Sequence, residues 1–387
     1  MRILMVAPAN SPHSTRPVEW LLGRGHEVAF MDRRNPFAQG RAGFTHLRPP
    51  ALRGRRYVAA AAPYLVSPLE RMFVLSPLQR VRRRLKIDVI HVSWVAQYAS
   101  YCAEANLHPL VLTVWGSDVN TCLSPDAEPA YRENIGRALA QADLVLVDSR
   151  DMFEKCARLA GRDIRIELFR LGIDTKTFRP GYKEEALAWR RKLDVPENAK
   201  VLLSIRGLLP YYGQSVLLRG FAEALPRFKS QAVLVINRHS AQPAYESEIR
   251  DLAARLGIES AVRWMEPVPM DRLPEVYAGA DVVLNHPSRD AFPVTFIEAA
   301  ACQRPVISCD LPAYRGTFAE KFFCMVHPGD VAQLTQAIVE MVDGDGTPWL
   351  AKSKEARKVV EAEYDQEACA EQLIAHYRDL VSSRSKK

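Results

Sequence analysis

The feature that most limits the fold of this chain is a repeated unit: a short β-branched apolar run followed by an amphipathic helical stretch. In the first half the runs are Ile3–Ala7, Glu27–Met31, Val89–Val92, Leu110–Val114, Leu144–Val147 and Ile164–Phe169. In the second they are Val201–Ile205, Ala232–Ile236, Ala261–Met265, Val282–Asn285, Val306–Cys309 and Phe323–Val326. Nearly continuous apolar strands separated by helices signal parallel sheets covered on both faces. A chain of 387 residues exceeds one ordinary core and suits two. Between the two sets lies "RLGIDTKTFRPGYKEE", Arg170 to Glu185, with no periodicity, two glycines and a proline. The chain therefore reads as α/β, with two Rossmann-like domains over 1–178 and 179–365 whose parallel sheets face across a cleft. An amphipathic helix within 366–387 follows the last strand and is free to pack back on either domain, the N-terminal one included.

Composition narrows the class. About half the residues are apolar and a quarter charged, as in soluble globular proteins. Seven cysteines without a CxxC pair argue against a disulfide framework or zinc site and for a cytoplasmic setting. "MRILMVAP" is too short in apolar residues for a signal peptide and reads as a buried strand. No apolar run reaches the length of a membrane span. The net charge of +7 is concentrated: residues 33–86 hold thirteen Lys/Arg against one acid, Glu70. Such a patch seeks anions, whether lipid headgroups, nucleic acid or a phosphorylated substrate. Ser67-Pro68 and Ser76-Pro77 both resemble helix starts, predicting two short helices. Leu78, Val81 and Leu85 share a face, while Arg80, Arg82, Arg83 and Arg84 crowd the rest. A solvated helix face and an interfacial helix on an anionic membrane fit this pattern equally. Nucleic acid ranks lower, because Phe37, Phe44, Tyr57, Tyr64 and Phe73 are too separated to form a stacking series.

No GxGxxG follows the first strand, and there is no GxSxG elbow, Walker loop or HExxH. Polar residues instead gather at strand ends: Asn10, Ser11 and His13 after the first, "WGSDV" with Asp118 after the fourth, and Arg206 after the first strand of the second half. The fourth cluster lies in "NHPSRDAFPVTFIEAAACQRPVISCD", where Asp290 stands in a loop and Glu298 inside a helix starting at Val294. In open α/β sheets ligands bind at this carboxyl edge. Singly, each residue has a structural explanation: His13 as a cap, Asp118 in a turn, Arg206 paired with an acid, Glu298 favouring a helix dipole. Jointly they suggest a shared site.

These segments resemble the retaining GT-B glycosyltransferases of the family-four type. "SRDAFPVTFIEAAACQRPVIS" is similar to that family's E-x7-E segment, with Asp290 and Glu298 at the acidic positions. "LGIDTKTFRP" is similar to its interdomain "NGVDxxxFxP" signature, and "GRGHEV", "DVIHVSW", "PLVLTVWGSDV" and "SIRGLLPYYGQSVLLRGFAEA" match further landmarks in order. The resemblance implies that Glu298 accepts hydrogen bonds from the ribose of a nucleoside diphosphate sugar and that Asp290 binds donor-sugar hydroxyls. It implies further that backbone amides of Phe292, Pro293, Val294 and Thr295 face the diphosphate, and that Arg206 meets the leaving charge in place of a metal. His13 and Asp118 are the acceptor-side residues. No cofactor or metal is expected, only the sugar nucleotide and a hydroxyl acceptor.

The expected function is transfer of a sugar, a hexose by resemblance, to a hydroxyl with retention, in polysaccharide, glycolipid or glycosylated-metabolite synthesis. The expected setting is cytoplasmic or peripheral on the inner face of the cell membrane. The alternatives are a GT-B sugar-nucleotide 2-epimerase and a non-catalytic GT-B partner subunit. Departures from the family pattern are Trp115 where a histidine is common, and Tyr211-Tyr212-Gly213 where a lysine follows the arginine. With that lysine gone, Arg206 is expected to carry the diphosphate largely alone.

Overall fold

A computed structural model describes residues 1–37, 40–48, 68–344 and 346–385 of the chain. It divides into two units, Met1–Gly172 with Gln366–Lys387, and Ile173–Asp365. The first contains β1 (Arg2–Val6), β2 (Glu27–Met31), β3 (Phe44–Leu47), β4 (Val89–Ser93), β5 (Leu110–Thr113), β6 (Leu144–Val147) and β7 (Ile166–Leu168). The second contains β8 (Lys200–Ser204), β9 (Ala232–Asn237), β10 (Val262–Met265), β11 (Val282–Asn285), β12 (Val306–Cys309) and β13 (Cys324–Val326).

The strand orders are β3-β2-β1-β4-β5-β6-β7 and β10-β9-β8-β11-β12-β13, with parallel pairing throughout. The winding reverses between β1 and β4 in one sheet and between β8 and β11 in the other, so each unit has a topological switch point.

Successive side chains of a strand point to opposite faces, and here both faces are packed. Val201, Leu203, Val235, Val283 and Val306 join one apolar cluster of the second unit. Their neighbours Leu202, Leu234, Ile236, Leu284 and Ile307 join another. In the first unit Ile3, Leu4, Met5 and Val6 are likewise buried in succession. This double burial is why the strands read as unbroken apolar runs. β3 has no such run: "FTHL" is half-exposed and sits at the sheet edge, pairing only with β2.

Two expectations change. The boundary falls after Gly172 rather than after 178, because Ile173 and Phe178 are buried in the core of the second unit. The Ile173 amide also donates to the Tyr364 carbonyl, tying the start of that unit to its end. The two short helices expected around Ser67 and Ser76 are one helix, Pro68–Leu85, with Pro77 inside it. A mid-helix proline removes one backbone hydrogen bond. Contacts beyond it hold the helix: Leu78 is buried, Gln79 donates to the Ala105 carbonyl and Arg82 to the His108 carbonyl. The part of the basic segment at 49–67 lies outside the described residues.

The helix Gln366–Ser385 belongs to the first unit. Ion pairs Arg24–Glu367, Arg24–Glu371 and Arg165–Asp379 flank it, but partners this exposed contribute little each. The stronger tie is inside, where Leu373, Ile374 and Tyr377 are buried. The Tyr377 hydroxyl lies 2.5 Å from His91 Nδ1, and His91 Nε2 lies 2.6 Å from Thr113 Oγ1. Burial lowers the His91 pKa to about 3. The folded state thus holds His91 neutral, while the unfolded chain protonates it near 6.5. Its contribution is intact above pH 6.5 and declines as pH falls from there toward 3, by roughly 1.4 kcal/mol per unit. Equilibrium unfolding across this window should show a pH slope for the parent that is shallower by about one proton in His91→Gln. Identical slopes would rule out His91 as the titrating group.

Candidate functional site

Each sheet presents a carboxyl edge at its switch point. In the second unit Arg206 follows β8 and Asp290 follows β11, so neighbouring strands deliver both. They form a fork-to-fork pair, Arg206 Nη1 to Asp290 Oδ2 at 2.8 Å and Nη2 to Oδ1 at 3.1 Å. The side chains retain only 10% and 12% of their exposure. Burial is the largest single effect and disfavours the charged guanidinium, but Asp290 and the neighbouring Tyr212 and Tyr314 together outweigh it and raise the Arg206 pKa. The Arg206 guanidinium also lies over the Tyr212 ring at 4.0 Å, a stacked cation–π contact.

Asp290 has further donors. The Tyr314 hydroxyl reaches Oδ2 at 2.8 Å and the Ala291 amide reaches Oδ1 at 3.0 Å. With the two guanidinium contacts, these four hydrogen bonds match the acceptor sites of a carboxylate. Tyr314 is itself fully buried, and burial first, then Asp290, raises its pKa far above the usual phenol range, keeping it a donor. Its oxygen accepts from Asn285 Nδ2 at 3.3 Å, which also donates to Ser308 Oγ at 3.2 Å. Asn285 ends β11 and pairs in register with Ser308 of the adjacent β12.

The helix Val294–Ala301 begins directly after this loop, with Pro293 as its N-cap. Proline has no amide hydrogen, so of the four residues expected to face an anion only Phe292, Val294 and Thr295 have an N–H to offer. The first-turn amides of a helix lack intrahelical acceptors, and Thr295 Oγ1 is buried with no hydrogen-bond partner among the described residues. Phe292 is buried among Phe296, Phe318 and Tyr364, which fixes the helix start. One turn on, Glu298 is 4% exposed, and its Oε2 accepts from the Tyr277 hydroxyl at 2.9 Å. Burial and then Glu298 keep Tyr277 protonated.

A second helix start approaches the same edge. Gly213 caps the helix Gln214–Ala224 in the left-handed region, φ +73°, and a Cβ there would sit 1.9 Å from the His286 carbonyl oxygen. Only glycine permits this closeness. Gln214 is fully buried and donates to the Gly207 carbonyl at 2.7 Å, closing the loop after Arg206.

At the edge of the first unit, His13 is half-buried in the first turn of the helix Pro12–Gly23, behind the N-cap Ser11. Its ring lies 4.5 Å from that of Trp115, whose Nε1 donates to Ser93 Oγ at 2.8 Å. Asp118 is 1% exposed and turned inward, with Oδ2 accepting from the Val95 amide at 3.1 Å and Oδ1 from Val119 at 3.0 Å. Burial raises its pKa, and the backbone donors oppose that. Val95 starts the helix Val95–Glu104 after Trp94, which has φ 84° and no side-chain cap of its own. Asp118 therefore supports the start of the neighbouring helix through its carboxylate.

Two family models match this chain, one described as glycosyl transferases group 1 over residues 186–373 and one as glycosyl transferase 4-like over residues 2–149. Between them the two models span most of the chain, which belongs to the glycosyltransferases they describe. Among its relatives, D-inositol 3-phosphate glycosyltransferase 2 of Catenulispora acidiphila is 32% identical over 193 residues, 48% of this chain and 44% of the relative. The D-inositol 3-phosphate glycosyltransferase of Acidothermus cellulolyticus is 29% identical over 268 residues, 67% and 58% of the two chains. The chain spans about half the length of the curated relatives it matches. Sucrose-phosphate synthase from Thermosynechococcus elongatus shares the fold with TM-score 0.80 at 17% identity, covering 99% of this chain and 100% of that one. Anabaena HepE, solved in complex with UDP-glucose, does so with TM-score 0.75 at 16% identity, covering 98% and 100%. These likenesses establish the GT-B architecture of two Rossmann-like halves.

Within this family member, the stretch where a lysine is common holds Tyr212, which stacks on Arg206 and brings no charge. The expectation that Arg206 carries a diphosphate alone meets a guanidinium already paired with Asp290. Asp290, expected to address sugar hydroxyls, has its acceptor sites filled by protein donors. Reading the sequence missed Tyr314 and Tyr277: "DLPAYRG" and "PEVYAG" carry no motif, and their partners lie 24 and 21 residues away. The capping role of Asp118 is testable. Asp118→Asn should lower stability by about 1–3 kcal/mol, because one oxygen becomes an amide facing backbone donors. It should leave sugar transfer per folded molecule as in the parent; lost transfer with unaltered stability would return Asp118 to the acceptor.

Proposed function

We propose that the protein transfers a sugar from a nucleoside diphosphate sugar to a hydroxyl acceptor, with retention, and that the donor nucleotide occupies the switch-point edge of the second unit. The observation that carries this reading is the convergence there of Arg206, the start of the helix Val294–Ala301 and Glu298. A helix N-terminus offers amides and a partial positive charge to a phosphate. A carboxylate one turn further suits a pair of ribose hydroxyls. The two glycosyltransferase models and the glycosyltransferase names of the relatives support the same reading. HepE, with UDP-glucose bound, supports a sugar nucleotide as the ligand class. Arg206, Glu298, Val294, Thr295 and Phe292 are the proposed donor-side residues, and His13 beside Trp115 the proposed acceptor-side pair.

A thermal-shift screen with UDP, GDP, ADP, CDP and dTDP, followed by hydrolysis of the matching sugar nucleotide, tests this. One nucleoside diphosphate should stabilise the parent, and Glu298→Gln should weaken its binding by about 1.5–3 kcal/mol while the variant stays folded. A parent that binds none of the five would favour the non-catalytic partner reading. Release of a free sugar or new sugar nucleotide without any acceptor would favour the epimerase.

For the setting, we propose attachment to an anionic membrane surface through the basic face of the first unit. Among the described residues no helix is long and apolar enough to cross a membrane. Arg82, Arg83 and Arg84 end the helix Pro68–Leu85, and Arg384 of the last helix lies close enough to Arg82 to help lower its pKa, after burial. Each basic residue near such a surface contributes about 1 kcal/mol. Flotation should show binding to vesicles containing phosphatidylglycerol, absent with phosphatidylcholine alone and lost at high salt. Binding indifferent to lipid charge would sink the proposal.

A further inference from the structure

We infer that Asp290 is a positioning residue for Arg206, held by Tyr314, and that it sets the guanidinium for the diphosphate instead of touching the donor sugar. This deepens the donor site proposed above and rests on that reading.

Asp290 is saturated. The four hydrogen bonds named above occupy its oxygens, and none of them leaves an acceptor for a sugar hydroxyl. Arg206 is held in one plane. The bidentate guanidinium–carboxylate pair fixes that plane, and the Tyr212 ring at 4.0 Å fixes it again from one face. The guanidinium has five N–H groups, so the two used by Asp290 leave its outer edge to present to another anion.

Support for Asp290 comes from below. Tyr314, fully buried, bridges it to Asn285 at the end of β11 and thence to Ser308 in β12. The carboxylate is thus built into the sheet edge, and its partner Arg206 comes from β8 beside it. Orientation by a fixed second group is a general way to aim a charged donor.

The test uses the full chain and the nucleotide found in the screen, as monophosphate, diphosphate and diphosphate sugar. A positioning role predicts that Asp290→Asn weakens the diphosphate and the diphosphate sugar by the same factor, about tenfold, and the monophosphate less than twofold. Tyr314→Phe should show the same pattern at smaller amplitude, about threefold, in a protein whose ion pair is intact. In a double-mutant cycle, Asp290→Ala should cost nothing further once Arg206 is alanine.

A loss confined to the diphosphate sugar would place Asp290 on the sugar and overturn the inference while leaving the donor site standing. An equal loss for the monophosphate would mark a merely structural residue and overturn the inference in the same way. Additive losses in the cycle would also overturn it. If the parent binds no nucleoside diphosphate, the donor-site reading fails and takes the inference with it.

Discussion

The pair between Arg206 and Asp290 is the contact around which the second unit's sheet edge is organised. Its two members leave adjacent strands, β8 and β11, and meet with little exposure. Removing one partner of such a pair strands the other charge, at a cost of about 3–5 kcal/mol. Tyr212, Tyr314 and the Ala291 amide then take the places a largely buried ion pair requires, one on the guanidinium and two on the carboxylate. Because the sheet edge is built on this pair, its geometry determines which polar groups remain for a ligand.

The first unit follows the same pattern with different residues. Asp118 commits its carboxylate to the backbone amides of Val95 and Val119. The turn it supports contains Trp94 at φ 84°, a region that costs a bulky residue on the order of 1–3 kcal/mol. Without the hydrogen bond from Val95, that turn would lack the acceptor that a helix start needs. In both units, then, a carboxylate at the sheet edge is engaged by protein donors: Asp290 by Arg206, Tyr314 and Ala291, and Asp118 by Val95 and Val119.

That difference explains what could and could not be read from the chain. Strand identity was visible because double burial imposes a local pattern, as in Val201-Leu202-Leu203; β3 escaped because an edge strand needs no such pattern. The places of Asp290 and Glu298 were visible through their spacing and the helix start between them. Their pairings were not, although Arg206 itself was legible as a candidate that pairs with an acid. Arg206 lies 84 residues from Asp290, and Tyr314 and Tyr277 sit in segments whose own sequence reports only a loop and a short helix. Pro77 misled in the opposite way, since its local signal for a helix start is overridden by packing of Leu78 and the bonds from Gln79 and Arg82.

The charge balance at the edge limits how an anion would be held at the proposed donor site. Arg206 and Asp290 cancel, and the tyrosines beside them bring no charge. What remains is directional: the outer edge of a fixed guanidinium, the amides of Val294 and Thr295, the Thr295 hydroxyl, and the start of the helix that Gly213 admits against β11. A helix end acts as about half a charge and only within its first turn. Such groups discriminate by position far more sharply than a lysine ammonium on a flexible stem. Replacing the common lysine by Tyr212 therefore exchanges long-range attraction for orientation, and an orientation of this kind is only as good as the carboxylate and phenol that hold it.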